Sequence, residues 1–163
     1  DNTTCILCPA GKFAATGGQT SCDDCAPGRY QSDNGKSLRW HAHHAEDATT
    51  CIEDYNFVNW YSEKRAVSCD YCPAGTYSGP AAANCTKCTE GRFASVGNRS
   101  SCIACQAGRY AIRRGSSLCH ACSPGTYAPF TETVECEDCE VGRYAPGYNE
   151  SDCYDCETGR FQP

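Results

Sequence analysis

The sequence predicts a small disulfide-rich fold: a tandem array of about nine short β-hairpin repeats forming an elongated rod, with little helix and no conventional hydrophobic core. Three observations predict this class. The chain of 163 residues has 17 cysteines, a density typical of secreted disulfide scaffolds. Leu, Ile, Val and Phe together make up only about a tenth of the chain, about half of what a conventional core needs. Finally, a Cys-x-x-Cys pair recurs at a nearly fixed interval.

Eight such pairs define the repeat, and each is followed by two residues, a Gly, one further residue and then Phe or Tyr. The pairs are Cys5/Cys8, Cys22/Cys25, Cys69/Cys72, Cys85/Cys88, Cys102/Cys105, Cys119/Cys122, Cys136/Cys139 and Cys153/Cys156. The Gly allows a turn after the Cys, and the aromatic residue supplies nearly the only large apolar surface of the unit. A short strand is expected there. Turn-forming residues further on predict a second arm that folds back as a hairpin.

The residue between the Gly and the aromatic residue is basic in six of the eight repeats. These residues are Lys12, Arg29, Arg92, Arg109, Arg143 and Arg160. Two interpretations are open: the cation lies over a neighbouring aromatic ring, or the position is a solvated one on the strand.

The spacing alone leaves the disulfide connectivity open. We favour a staple scheme, in which the second Cys of each pair bonds the first Cys of the next pair and so closes one hairpin. It gives Cys8–Cys22, Cys72–Cys85, Cys88–Cys102, Cys105–Cys119, Cys122–Cys136 and Cys139–Cys153. Closing a loop of this size is worth on the order of 3 kcal/mol, so several such bonds could replace a core. The alternative is a ladder of first Cys to first Cys and second Cys to second Cys.

The interval breaks once, which divides the chain into cysteine-rich repeats at 1–35, an insertion with a degenerate repeat at 36–68, and regular repeats of 16 to 17 residues at 69–163. Cys51 has no partner three residues later, because Asp54 stands there. The staple scheme then bonds Cys25 to Cys51 and leaves Cys5, Cys69 and Cys156 unpaired within the segment. A bond between Cys51 and Cys69, which would free Cys25, is the competing assignment.

At two places the repeat resembles a known family. Cys-Pro-Ala-Gly-Thr-Tyr-Ser at 72–78 and Cys-Pro-Ala-Gly-Lys-Phe at 8–13 resemble the cysteine-rich repeat of ephrin-receptor-like extracellular segments. They are also similar to the first hairpin module of tumour-necrosis-factor-receptor cysteine-rich domains. The likeness covers nearly all of the chain except residues 36–68. It implies an extended, extracellular, non-enzymatic rod with the staple pairing, but no particular ligand.

Composition and motifs exclude several functions. With 14 Lys and Arg against 20 Asp and Glu, and no basic run, nucleic acid is not an expected partner. No apolar stretch approaches 18 residues, so no membrane insertion is expected in this segment, and no charged region followed by an apolar one indicates a signal peptide within it. Successive Cys-x-x-Cys pairs are evenly spaced, whereas a chain of zinc sites would show alternating short and long spacers. Eight equivalent pairs also argue against redox catalysis. We therefore expect no metal, no cofactor and no enzymatic activity.

Asn-x-Ser/Thr sequons predict N-linked glycans and an extracellular or cell-surface location. They occur at Asn2, Asn84, Asn98 and Asn149. Asn98 and Asn149 lie three repeats apart at the same phase, which suggests that glycans line one face of the rod.

The insertion is the expected place for a partner contact, through Trp40, Trp60 and Tyr61. The alternative is that the two Trp residues form a small local core. The sequence His41-x-His43-His44 could bind a transition metal, but a solvated loop is the simpler interpretation. An acidic cluster at Glu135, Glu137 and Asp138 lacks the spacing of a calcium loop and is expected to be hydrated surface.

Two functions are compatible with these features. The first is a structural segment of an extracellular, glycosylated, disulfide-stapled surface fibre, filament or matrix, which predicts self-association. The second is a receptor ectodomain that binds another extracellular protein through residues 36–68, which predicts a monomeric rod with one saturable partner.

Overall fold

The computed structural model describes residues 6–32 and 68–161. Within these ranges it has no helix, and every strand belongs to one of seven antiparallel two-stranded hairpins. This confirms the predicted array of disulfide-rich hairpins. The strands pair as β1 (Lys12–Phe13) with β2 (Asp23–Asp24), β3 (Arg29–Tyr30) with β4 (Asp70–Tyr71), β5 (Thr76–Tyr77) with β6 (Thr86–Lys87), β7 (Arg92–Phe93) with β8 (Ile103–Ala104), β9 (Arg109–Tyr110) with β10 (His120–Ala121), β11 (Thr126–Tyr127) with β12 (Glu137–Asp138), and β13 (Arg143–Tyr144) with β14 (Tyr154–Asp155).

Each hairpin is built from the two recurrent sequence motifs. Its first strand is the residue after the Gly plus the aromatic residue, and its second strand is the pair of residues between the two cysteines of the next Cys-x-x-Cys. In one hairpin Thr76 lies opposite Lys87, and Tyr77 lies opposite Thr86. The backbone N–H of Cys88 donates to the carbonyl of Gly75 at 2.9 Å. Gly75 has a φ of 81°, a left-handed conformation that favours glycine.

Disulfides close these hairpins, and six of them have the staple pairing. They are Cys8–Cys22, Cys72–Cys85, Cys88–Cys102, Cys105–Cys119, Cys122–Cys136 and Cys139–Cys153. The two cysteines of a pair flank a two-residue strand. Because side chains alternate along extended backbone, residues three positions apart point to opposite faces. The first cysteine of each pair therefore bonds a cysteine earlier in the chain, and the second bonds one later in the chain.

The seventh disulfide corrects the sequence prediction. Cys25 bonds Cys69, so the expected bond from Cys25 to Cys51 is wrong, and Cys69 is not unpaired. Strand β4, between Cys69 and Cys72, pairs with β3 and leads directly into the next repeat, whose Ser78 and Ala82 carbonyls accept the N–H groups of Gly28 and Gln31. The insertion thus lies in the long connection of one repeat.

Three cysteines take part in none of these seven disulfides. Cys156 has no disulfide partner among the described residues. Cys5 and Cys51 lie outside the described residues.

We number the disulfide-closed repeats as units 1 to 7. They run from the opening to the closing cysteine: 8–22, 25–69, 72–85, 88–102, 105–119, 122–136 and 139–153. Among the described residues, the buried side chains of these units are cysteines and, in six repeats, the residue that follows the repeat aromatic residue, which is Ala in four of them. The latter are Gln31, Ser78, Ala94, Ala111, Ala128 and Ala145. The repeat aromatics themselves are half-buried to exposed, so sulfur and methyl groups replace a conventional core.

Consecutive units are joined by backbone hydrogen bonds at these small residues. The carbonyl of Ala111 in unit 5 accepts from the N–H of Gly91 in unit 4 at 2.8 Å, and the N–H of Ala111 donates to Thr133 in unit 6 at 3.2 Å. The equivalent bonds recur along the array. A side chain larger than Ala would have to fit between three units, which explains why this position is occupied by small residues in most repeats.

Units two apart also touch, through the repeat glycine. A β-carbon on Gly91 of unit 4 would lie closer than 3.0 Å to the carbonyl of Glu132 in unit 6, and one on Gly108 would meet Asn149 in the same way. Equivalent contacts join Gly11 to Ala81, Gly28 to Asn98 and Gly75 to Gly115. The contacts link the units into two interleaved series, 1-3-5-7 and 2-4-6. Units of the array therefore contact next-but-one units as well as their nearest neighbours.

Candidate interaction surfaces

The first-strand position that is basic in most of the hairpins faces the partner strand, and the chemistry there varies. Arg29 lies over the ring of Tyr71, with 4.1 Å from its guanidinium carbon to the ring centroid, and also donates a hydrogen bond to the Tyr71 hydroxyl. This confirms the cation–ring interpretation for one repeat. At the same position Lys12 pairs with Asp24 at 2.7 Å. Such half-exposed pairs contribute about 0–1 kcal/mol each.

One ion pair connects next-but-one units. Arg92 of unit 4 bonds both carboxylate oxygens of Glu132 in unit 6, with Nε 3.1 Å from Oε2. The backbone of Glu132 is the segment that packs on Gly91. A bidentate pair therefore reinforces the contact that already holds these two units together.

The acidic cluster perturbs one tyrosine. The hydroxyl of Tyr127 donates to the carboxylate of Glu137 across the hairpin at 3.1 Å. This hydrogen bond raises the pKa of Tyr127 above its ordinary value of 10.0, and burial and the charge of Glu137 act in the same direction. The raised pKa means that the native state holds this proton more tightly than the unfolded chain. Its contribution to stability is therefore present below the ordinary pKa and is lost as pH rises through the raised value.

We expect the substitution Glu137→Gln to lower the pKa of Tyr127 toward 10.0, because the charged acceptor disappears. Alkaline titration of tyrosinate absorbance would measure this as a difference between variant and parent. Glu135→Gln is the matched control, since Glu135 is exposed and is not among the interactions that shift Tyr127. An unchanged titration in the Glu137 variant would contradict the assignment.

The sequons lie on exposed backbone where they are described. Asn84, Asn98 and Asn149 are exposed, and Asn2 lies outside the described residues. Asn98 and Asn149 have φ values of 63° and 66°. Their shared phase therefore has a backbone reason, because Asn tolerates the left-handed region better than most residues. The same position holds Gly18, Ala81, Gly115 and Glu132 in four other units, all with positive φ.

The predicted partner contact is not placed by the structure. Trp40, Trp60 and Tyr61 lie outside the described residues, as do His41, His43 and His44. Within the described ranges, no group of three or more His, Cys, Asp or Glu side chains could hold a metal ion. Likewise, no helix found there is long and apolar enough to span a bilayer.

Two features of the repeat were missed in the sequence. One is the small buried residue after the aromatic residue, which could have been found by aligning the repeats. The other is the left-handed residue four positions before the closing cysteine. It carries Ala, Asn, Gly, Glu and Asn in successive units, so no residue type marks it.

Comparison with known protein families gives a match over part of the chain. The family described as tyrosine-protein kinase ephrin type A/B receptor-like matches residues 1–37. No curated protein matches the chain. The described part of the match contains unit 1 and the first strand of unit 2.

Together, the hairpins and the seven disulfides of the described residues define a disulfide-rich repeat array, and residues 1–37 of the chain are similar to the ephrin-receptor-like family. Disulfides persist in oxidising compartments, so these features fit a location outside the cell.

Proposed function

We propose that this chain is a non-catalytic structural segment of an extracellular fibre, filament or matrix. One observation carries the proposal: the same backbone hydrogen bonds join unit to unit along the whole described array. Every unit offers the next one the same donors and acceptors, so the pattern extends by repetition without a change of geometry. Repetition of one interface is what a spacer or filament requires, whereas a catalytic centre requires a unique one.

Two further features support an extracellular structural role. Each hairpin is closed covalently, with cysteine Cα atoms 5.7–5.8 Å apart, so the array does not depend on a large apolar core that a solvent-exposed rod cannot build. The exposed sequons Asn84, Asn98 and Asn149 would carry N-linked glycans on its surface. The closure of a hairpin by a cysteine 14 positions on, as in Cys88–Cys102, also supports a likeness to the tumour-necrosis-factor-receptor module.

Negative-stain imaging of the native glycosylated protein under non-reducing conditions tests the role. We expect elongated particles that join into longer or periodic assemblies, and reduction should abolish them. Isolated rods that never associate, but bind one partner saturably, would contradict the proposal. That result would favour a receptor ectodomain that uses residues 36–68.

A further inference from the structure

Charge is strongly segregated along the regular part of the array. Residues 86–120 contain six Lys or Arg and a single carboxylate, whereas residues 121–157 contain one Arg and nine carboxylates. The net formal charge of −6 hides this separation. Adjacent units therefore present opposite charges to solvent.

The basic surface consists of Lys87, Arg109, Arg113 and Arg114. All four are exposed, and none has an ion pair within the described part of the chain. The methylene stem of Lys87 lies against Gly115, with Cδ 3.4 Å from the position of a β-carbon there. Gly115 shares a shallow depression of about 300 Å³ with Arg113, Arg114 and His120. Two hairpins therefore bring their cations to one place.

The acidic surface consists of Glu135, Glu137, Asp138 and Glu140, all exposed around strand β12. Glu137 accepts the hydrogen bond from Tyr127. Among the described residues, no cation pairs with the other three. By contrast, Asp152 and Asp155 of the next hairpin are both bonded by Arg143. The carboxylates without a cationic partner are thus concentrated where unit 6 joins unit 7.

We infer that the basic surface is an interface for the acidic surface of a second copy of this chain, in an antiparallel two-fold pair. Two-fold symmetry places each basic surface on the partner's acidic surface, so both are neutralised at once. Arg binds carboxylates through paired, charge-assisted hydrogen bonds. The inference rests on the proposed structural role, because it specifies how copies of the chain associate.

The observations favour a second copy over an extended polyanion. The Arg92–Glu132 pair shows that the acidic units lie directly against the basic ones. A long sulfated polysaccharide on the basic surface would therefore approach uncompensated carboxylates as well, and those repel it. A second copy meets both surfaces with the opposite charge.

A charge-swap experiment with the whole 163-residue chain tests the inference. One variant carries Arg113→Glu and Arg114→Glu, and the other carries Asp138→Lys and Glu140→Lys. All four residues are exposed, so folding should be kept, and disulfide mapping would verify it. The control, Asp23→Lys with Asp70→Lys, makes the same change in net charge as the second variant, at exposed residues of other hairpins. Sedimentation velocity would be measured at ionic strengths that change the Debye length from about 30 Å to about 3 Å.

We expect the parent chain and the control to dimerise at low ionic strength, with at least tenfold weaker association at high ionic strength. Each charge-swap variant alone should stay monomeric, and an equimolar mixture of the two should restore the dimer. The inference is overturned if the mixture stays monomeric or if each variant alone dimerises like the parent. Binding of the parent to immobilised heparin without self-association would overturn it in favour of a polyanion.

Failure of this inference is distinguishable from failure of the proposed role. Assemblies that persist in negative stain but ignore salt and charge reversal would leave the structural role standing. In that case copies join through another surface. The absence of any assembly of native material would contradict the role itself.

Discussion

Replacing Gly91 by Ala is expected to lower the local free energy of unfolding by about 3–5 kcal/mol, one of the two largest effects expected for this chain. Gly91 has a φ of 74°, and a β-carbon there would collide with the carbonyl of Glu132. Left-handed backbone alone costs a non-glycine residue about 1–2 kcal/mol. The remainder comes from forcing units 4 and 6 apart, since backbone cannot rotate away as a side chain can.

Gly125→Ala is the matched control for this substitution. Gly125 has a φ of 87° and nothing within 4 Å of its β-carbon position. Its hydrogen bonds are the counterparts of those of Gly91, from its own N–H to Ala145 and from the N–H of Cys139 to its carbonyl. The control should therefore show only the left-handed penalty, about 1–2 kcal/mol.

Amide hydrogen exchange measures the local stability of each unit in both variants. In the Gly91 variant, protection of the Glu132 N–H, which donates to Cys105, should fall by about 100-fold or more, since 1.4 kcal/mol is a factor of ten. The Gly125 variant should leave that amide protected. Equal losses in the two variants would mean that the next-but-one contact contributes nothing.

The second large effect is expected from removing the long-range disulfide with Cys25→Ala and Cys69→Ala. Its cysteines are 44 positions apart, against 14 for Cys88 and Cys102. In the chain-entropy description, a loop of this length is worth about 4 kcal/mol and the shorter one about 3 kcal/mol. The bond also fixes β3 against β4 across the insertion, so its loss should release units 1 and 2 from the rest of the array.

Guanidinium unfolding of the oxidised variants measures this difference, with Cys88→Ala plus Cys102→Ala as the control for a short loop. Peptide mapping must first show that the other bonds are unchanged. Protection of the Cys72 N–H, which donates to Gly28, should be lost in the long-range variant only. A smaller destabilisation for Cys25 and Cys69 than for the control pair would contradict the expectation.

The repeat could be predicted from the sequence because its determinants are local. The cysteines, the Gly and the aromatic residue recur at fixed spacing, and each fixes backbone geometry within its own unit. The Gly-x-aromatic strand and the folded-back second arm follow from turn and strand chemistry alone. The staple pairing then agrees with the strand formed between the two cysteines of each pair.

The features that escaped prediction are those decided between units. Cys25 bonds Cys69 because the strand after Cys69 pairs with β3 and leads directly into unit 3, and this arrangement appears only once the strands are paired. The left-handed residue packs through its backbone carbonyl against a glycine two units away, so its side chain does not make the contact. This explains why Ala81 and Glu132 can occupy the position. The charge surfaces likewise depend on which hairpins lie together.

The staple pairing also sets how the segment would respond to pulling. In each short unit the covalent path crosses the disulfide, about 5.7 Å between Cα atoms, and then the two residues before the next cysteine, about 3.5 Å per step. The residues of the loop itself carry no load. Under tension the array can therefore lengthen only by separating its units. The extra chain length between the two bonded cysteines of a unit becomes available only when their disulfide is reduced.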